Sequence, residues 1–296
     1  MNKKQMFAAD ASLLLVALIW GCGFVVTKTC LSEMTPYYLM ALRFAIATGV
    51  LLLFFGKRLV KAKAQDWKSG CIIGVFLFAA FAAQTVGLKF TTASSSAFLT
   101  GTNVVMVPFL YWALYKKSPD VWSFGASGLA LFGIGLLTLH GSLTLSFGDS
   151  LSLLCALFFA CHIVSIGHFA KDQDPLVLAT VQMGFSAVLS LVVALAFEPH
   201  PTHISSGGWV GMMYLGLFST FLAFTIQNVA QKYTTSTHAA LILCQESMFG
   251  ALFAVFFLGD KLTVPMVVGC LLILIAIITA ETRWEFLRPT SSKKSS

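Results

Sequence analysis

The sequence has 296 residues, of which 57% are apolar and only 10% are charged, whereas about a quarter of the residues of an ordinary soluble domain are charged. So few charged side chains cannot cover the surface of a water-soluble protein of this length, so a lipid environment is expected. The net charge of +7 lies mostly in short connections between apolar segments, which argues against a nucleic-acid-binding surface.

Ten apolar segments are long enough, at about 20 residues each, to cross the roughly 30 Å hydrocarbon core of a membrane as helices. In chain order they cover residues 8–27, 36–55, 69–88, 93–115, 122–139, 149–169, 176–197, 207–230, 236–258 and 263–280. The longest connection is a loop at 56–68, and a Ser- and Lys-rich tail at 283–296 is predicted to be disordered. We therefore expect an all-α integral membrane protein with ten transmembrane helices.

The distribution of basic residues predicts the orientation of these helices. With a cytoplasmic N-terminus, 15 of the 19 Lys and Arg residues lie on the cytoplasmic side, whereas only Lys28, Lys89 and Lys261 lie outside and Arg43 lies within a span. Basic residues are enriched in cytoplasmic connections. Both termini are therefore predicted to be cytoplasmic.

The two halves of the chain resemble each other. Asp10 and Pro36 match Asp149 and Pro175 at an offset of 139, and Gln84 matches Gln227 at an offset of 143. Each half has five predicted spans, so the second half enters the membrane from the opposite side. This predicts two inverted repeats, at residues 1–142 and 143–282, an arrangement associated with secondary transport.

Each half of the chain also carries its own short motifs, in a fixed order. They include Trp20-Gly21, Leu42-Arg43-Phe44 and Val107-Pro108 in the first half, and Gly148-Asp149, Ala223-Phe224 and Leu258 to Thr263 in the second. Together they resemble the EamA-type branch of the drug/metabolite transporter superfamily over essentially the whole chain. Ser247 departs from the resemblance, because a Pro usually follows the Glu of the ninth span, and Lys117 replaces a frequent acidic residue.

The resemblance implies a secondary transporter of small polar metabolites, with amino acids or related compounds as substrates and export as the direction. Multidrug or cation transport and nucleotide-type metabolite transport are the alternatives. The sequence has no Walker-type loop for ATP hydrolysis, so a proton or substrate gradient is the expected energy source. An intramembrane enzyme is a distant alternative, since neither a Gly-x-Ser-x-Gly nor a His-Glu-x-x-His motif occurs; a channel is another.

Four polar residues lie near the middle of the fourth and ninth predicted spans. Asn103 matches Glu246 in the repeat alignment, and Thr102 matches Gln245. A charged side chain at this depth needs a partner or a water-filled cavity. These four residues are therefore candidates for substrate binding, although Glu246 could instead tie spans together or shield Arg43.

Arg43 in the second span matches the neutral Gln182 in the seventh. Its long side chain could anchor the helix or contact a substrate carboxylate. Gln84 and Gln227 lie toward the ends of their spans, on opposite sides of the membrane. These four residues are candidate gate or helix-tying residues.

Trp20 matches Phe159, and His162 follows one helical turn later. An aromatic pair beside a histidine would suit a substrate with an apolar part, although simple packing explains such residues as well. Trp20 and His162 complete the candidate substrate-binding set.

No cofactor, metal site or catalytic residue is predicted. The expected partners are the lipid bilayer and a small-molecule substrate, without nucleic acid. Gly125, Gly128 and Gly133 form a stripe of small residues in the fifth span, which favours close helix packing. The protein is expected in the cell membrane (the inner or plasma membrane) of a bacterium, as a monomer or as a homodimer formed through spans five and ten.

Overall fold

The computed structural model describes residues 3–116, 118, 120–138, 146–201, 203–258 and 264–282. All the regular secondary structure in this part of the chain is helical. The helices are α1 Lys3–Cys30, α2 Pro36–Leu59, α3 Ala64–Gly87, α4 Ala93–Gly101, α5 Asn103–Tyr115, α6 Val121–Thr138, α7 Phe147–Phe169, α8 Pro175–Phe197, α9 Ser206–Met213, a π-helix at Tyr214–Leu222, α10 Ala223–Ala230, α11 Ser236–Leu243, α12 Gln245–Leu258 and α13 Val264–Thr282.

Eight helical stretches among the described residues are long and apolar enough to cross a membrane. The helices α6 and α13 contain shorter apolar stretches, at Val121–Gly133 and Val267–Ala276. The expected all-helical membrane protein is thereby confirmed, while ten spans in two inverted repeats stay a prediction. The expected boundary at 142 and 143 and the expected tail at 283–296 lie outside the described residues.

The connection between α2 and α3 is shorter than the sequence indicated. The helix α2 continues to Leu59 and α3 begins at Ala64, so the prediction of a loop at 56–68 was wrong. The Asp66 carboxylate accepts a hydrogen bond from the Lys63 amide over 2.8 Å and caps the first turn of α3. At the other end, Lys57 and Arg58 lie in the last turn of α2, where positive charge stabilises a helix.

Two of the membrane-spanning helical stretches, α4 with α5 and α11 with α12, are interrupted near their middles. The helix breaks at Thr102, between α4 and α5, and at Cys244, between α11 and α12. The amides of Val105 and Ser247 reach back only three residues, to Thr102 and Cys244, each over 3.1 Å. The two breaks lie one position apart in the repeat alignment, and both occur beside predicted site residues.

The core forms where helices of the two halves pack against each other. The helix α1 packs against α12, α2 against α8 and α3 against α7. A Cβ at Gly21 would lie 3.0 Å from the Glu246 carbonyl oxygen, so α1 and α12 are in close contact. The helices α6 and α13 pack together through Gly133, whereas a Cβ at Gly125 or Gly128 would meet no atom within 4 Å.

Candidate functional site

The interface between the halves contains a small cavity of about 30 Å³. Six of the ten candidate residues line it, namely Trp20, Arg43, Gln84, Asn103, Gln227 and Glu246. The other lining residues are Gly23, Phe24, Thr27, Phe81, Phe159, Ile163, Ser219 and Leu243. Thr102, His162, Gln182 and Gln245 lie outside this lining.

Arg43 is held in the cavity wall by the π-helix. Its side chain is 2% exposed, and it donates from Nε to Thr220 Oγ1 over 2.9 Å and from Nη2 to Ser219 Oγ over 3.3 Å. The guanidinium lies 4.4 Å from the centre of the Phe81 ring, in a cation–π contact. Nη1 has no hydrogen-bond partner among the described residues, so one donor edge remains for a ligand.

The acceptors of Arg43 lie on the π-helix, where a side-chain hydroxyl can bond to the carbonyl five residues earlier. Thr220 Oγ1 donates to the carbonyl of Leu215, five residues earlier, over 2.7 Å. The Ser219 carbonyl accepts from Trp20 Nε1 over 2.9 Å. Trp20, Ser219 and Arg43 therefore hold α1, the π-helix and α2 together at the cavity wall, and π-helical turns are frequent at functional sites.

Glu246 lies in the first turn of α12, just after the break at Cys244, and is 6% exposed. Its carboxylate makes no hydrogen bond or ion pair with another described residue, although Arg43 lines the same cavity. Asn103, its match in the first half, is 5% exposed, and its Oδ1 has no hydrogen-bond partner in the described part of the chain. Each unsatisfied buried polar group typically costs about 1–3 kcal/mol.

Gln84 and Gln227 line the same cavity. Gln84 donates from Nε2 to Thr100 Oγ1 over 3.3 Å. Gln227 is fully buried, and neither its Nε2 nor its Oε1 has a partner among the described residues. The structure thus brings the two amides to one cavity.

An aromatic wall completes the cavity. The rings of Phe81 and Phe159 lie 5.4 Å apart, and the ring of Phe224 lies 4.8 Å from Trp20 and 5.8 Å from Phe81. Such tilted and edge-on ring pairs are energetically favourable. The sequence alignment pointed to Trp20 and Phe159, but it gave no indication of Phe81.

His162 belongs to a hydrogen-bonded chain behind this wall. The Asn228 Nδ2 donates to the Phe224 carbonyl over 2.8 Å, so Asn228 Oδ1 is the atom that accepts from Gln182 Nε2 over 3.0 Å. Gln182 Oε1 then faces His162 Nε2 at 2.8 Å, which must be the donor. This chain ties α7, α8 and α10 together, and His162 lies outside the cavity lining with its ring near Phe159 and Phe224.

The remaining candidates lie at the helix breaks. Thr102 Oγ1 donates to the Leu99 carbonyl over 2.6 Å, which closes the last turn of α4. Gln245 is 2% exposed, with no hydrogen-bond partner for its Oε1 among the described residues. Both residues shape the helix ends that place Asn103 and Glu246 in the lining.

The helices of the fourth and ninth predicted spans touch on both sides of the cavity. On the side expected to face outward, Ser247 Oγ of α12 donates to the Ala97 carbonyl of α4 over 2.9 Å. On the other side, Val107 of α5 packs against Ala240 and Leu243 in an apolar cluster. Two different kinds of contact therefore flank the site.

Within the described ranges no three His, Cys, Asp or Glu residues are grouped as metal ligands. Ser219 and Thr220, which orient Arg43, were missed in the sequence, although two adjacent hydroxyl residues inside an apolar segment are a recognisable signal.

Comparisons with known proteins agree with this architecture. An uncharacterized transporter of Archaeoglobus fulgidus is 38% identical over 280 residues, which cover 95% of this chain and 87% of the relative. The uncharacterized inner membrane transporter YicL of Salmonella typhimurium is 25% identical, over 90% of this chain and 93% of its own. A crystal structure with 17% sequence identity matches the fold with a TM-score of 0.78, over 95% of this chain and 99% of that chain.

The family model gives the most direct assignment. Residues 7–139 and 146–281 match the EamA-like transporter family, which confirms the resemblance seen in the sequence motifs. Relatives named as transporters point to transport rather than to an enzymatic reaction. The chain is a multi-pass membrane protein that belongs to the EamA-like transporter family.

Proposed function

We propose that this protein is a secondary transporter of small zwitterionic metabolites, with amino acids as the substrate class. One observation carries the proposal: Arg43 and Glu246 line a single cavity, and neither forms an ion pair within the described part of the chain. Charged side chains inside a membrane are tolerated where they pair or face a polar ligand.

A zwitterion satisfies both residues at once. The free Nη1 edge of Arg43 suits an α-carboxylate, and the Glu246 carboxylate suits an α-ammonium group. A simple cation would leave the charge of Arg43 without a counter-charge, and a simple anion would leave the charge of Glu246 without one. An unpaired buried charge is strongly unfavourable, so the pair of residues selects against both.

Alternating access is the proposed mechanism. We place both termini in the cytoplasm and treat the two halves as inverted five-span repeats, whose relative rocking exposes the cavity to either side in turn. Export across the inner membrane of a bacterium, driven by a proton or substrate gradient, is the direction that we infer. A homodimer formed through α6 and α13 is compatible with this mechanism.

Counterflow in proteoliposomes tests the proposal. Vesicles are loaded with one unlabelled amino acid, and labelled amino acid is added outside, with choline and acetate as singly charged controls. We expect transient accumulation of labelled amino acid that choline and acetate do not support. Exchange of choline alone would instead favour a cation transporter, passive leakage a channel, and chemical conversion an enzyme.

Thermal unfolding of the purified protein gives an independent readout. A ligand at 100 times its dissociation constant adds about 2.7 kcal/mol of stability, so amino acids are expected to raise the unfolding temperature and acetate is not. Absence of stabilisation by all 20 amino acids, together with absence of counterflow, would refute the zwitterion proposal.

A further inference from the structure

We propose that Gln227 reads the side chain of the substrate and selects zwitterions that carry a neutral hydrogen-bonding group, a carboxamide or a hydroxyl. This inference rests on the proposed function and names the substrate class within it. The starting observation is that Gln227 is fully buried in the cavity lining, with neither amide atom paired to another described residue.

Three other buried glutamines of the same bundle have structural partners, and Gln245, which is buried without a partner for its Oε1, lies outside the cavity lining. Gln182 joins His162 to Asn228, Gln231 donates to the Ile163 carbonyl over 2.9 Å, and Gln84 donates to Thr100. These amides hold neighbouring helices together. Gln227 forms no such tie, although it lies on α10 only one turn before Gln231.

The cavity offers a third polar position beyond the two charges. Arg43 and Glu246 come from α2 and α12, and Gln227 comes from α10. The α-carboxylate and α-ammonium of a zwitterion engage the two charges, which leaves the side chain for the remaining surface. Of that surface, Asn103 offers an unpaired acceptor and Gln227 offers both an acceptor and a donor.

A carboxamide or hydroxyl matches Gln227 because each can donate and accept. An apolar side chain would fit the aromatic wall but would leave both amide atoms of Gln227 without partners. Sites that are built to hydrogen-bond a substrate group discriminate strongly against analogues that lack it. The geometry therefore favours glutamine over the similarly shaped methionine, and threonine over valine.

Thermal-shift titrations with these two matched pairs test the inference. For the wild-type protein we expect glutamine to bind at least about tenfold more tightly than methionine, and threonine more tightly than valine. The Gln227→Met variant keeps the side-chain volume and removes both polar atoms, so the glutamine preference should disappear. Gln65→Leu, at an exposed position near the start of α3, is the control and should keep the wild-type ratio.

The possible results distinguish a failure of side-chain selection by Gln227 from a failure of zwitterion transport itself. Equal binding of both members of each pair by the wild-type protein, or an unchanged ratio in Gln227→Met, would overturn the inference while leaving zwitterion transport intact. Stabilisation by no amino acid would overturn both. If Gln227→Met does not fold, Gln227→Glu replaces it: the loss of the amide donor should lower the glutamine-to-methionine ratio, and an unchanged ratio refutes the inference.

Discussion

Arg43 donates from Nε to Thr220 Oγ1 over 2.9 Å, and this bond joins α2 of the first half to the π-helix of the second. Thr220 in turn donates to the Leu215 carbonyl, so the orientation of its hydroxyl is fixed and its lone pair faces Arg43. Two of the three guanidinium nitrogens are thereby used to position the third. This arrangement holds the charge at the cavity surface instead of letting the side chain extend toward the lipid interface.

Replacing Arg43 by Lys is expected to weaken substrate binding without unfolding the protein. Lysine keeps the charge but has no planar fork to hold Thr220, Ser219 and a carboxylate together. A charge-assisted hydrogen bond contributes about 1.5–3 kcal/mol, so zwitterion affinity in thermal-shift titrations should fall about 10- to 100-fold. If the ligand-free unfolding temperature falls sharply while affinity stays unchanged, Arg43 is an anchor and not a substrate contact.

Glu246→Gln should abolish zwitterion exchange, because the amide keeps the shape but lacks the negative charge that an ammonium group requires. Counterflow between pH 5 and pH 8 is the measurement, with Gln65→Leu as the control, since Gln65 is exposed near the start of α3 and lies outside the cavity lining. Unimpaired flux with an unchanged pH dependence in Glu246→Gln would remove the carboxylate from the mechanism.

Ser247→Ala is expected to favour opening of the outward-facing side. The variant loses the hydrogen bond to the Ala97 carbonyl, a neutral contact of about 0.5–1.5 kcal/mol, whereas the apolar packing of Val107 against Ala240 and Leu243 on the opposite side of the cavity is unchanged. In a background without native cysteines, a Thr27→Cys reporter in the cavity lining should react about two- to tenfold faster with an impermeant maleimide added outside.

The control for this experiment is Ser186→Ala. Ser186 makes one buried interhelical hydrogen bond, to the Gly74 carbonyl over 3.2 Å, and it lies outside the cavity lining. Labelling rates that rise equally in both variants would indicate general loosening and would contradict a specific role for Ser247.

Gly21→Ala should destabilise the protein, because its Cβ would lie 2.7 Å from Phe249 Cβ and 2.8 Å from the Gly250 amide nitrogen. Separating α1 from α12 by the required amount costs about 1–3 kcal/mol. Gly49→Ala is the matched control, because a Cβ there meets no atom within 4 Å. Thermal unfolding in detergent should show a lower midpoint for Gly21→Ala only; equal midpoints would contradict the close approach.

The connection between α1 and α2 is expected to respond to acid. Hydrogen bonds from the Ser205 amide over 2.7 Å and from its hydroxyl over 2.8 Å lower the pKa of Glu33 below its ordinary value. A lowered folded-state pKa stabilises the protein above the unfolded-state pKa, and this contribution is lost as the pH falls through the folded-state value. Unfolding midpoints measured from pH 7 to about pH 3 should therefore fall less steeply in Glu33→Gln; parallel profiles would exclude this contribution.

The sequence predicted the helices well because the length of an apolar segment can be read directly from neighbouring residues. Arg43 and Glu246 could be singled out for the same reason, since a charge in an apolar segment is visible without a structure. The rotation of each helix about its axis depends on packing between distant segments. This is why Gln84 and Gln227, expected on opposite sides of the membrane, were not predicted to share a cavity.

The sequence pattern also did not predict the irregularities of the backbone. The π-helix at Tyr214–Leu222 and the breaks at Thr102 and Cys244 lie inside predicted spans, without a proline at the interruption. The π-helix receives tertiary hydrogen bonds from Trp20 and Arg43, which a sequence pattern does not reveal. Consequently the sequence pointed to charged residues of the site but not to the groups that orient them.

The opposite charges of Arg43 and Glu246 have an electrical consequence. With both side chains ionised, the two charges sum to zero, and an amino acid with a neutral side chain adds no net charge when it binds. Moving one unit charge through a membrane potential is worth about 2.3 kcal/mol per 100 mV, but a neutral loaded site does no such work. The membrane voltage would therefore act on the zwitterion step only through an accompanying ion.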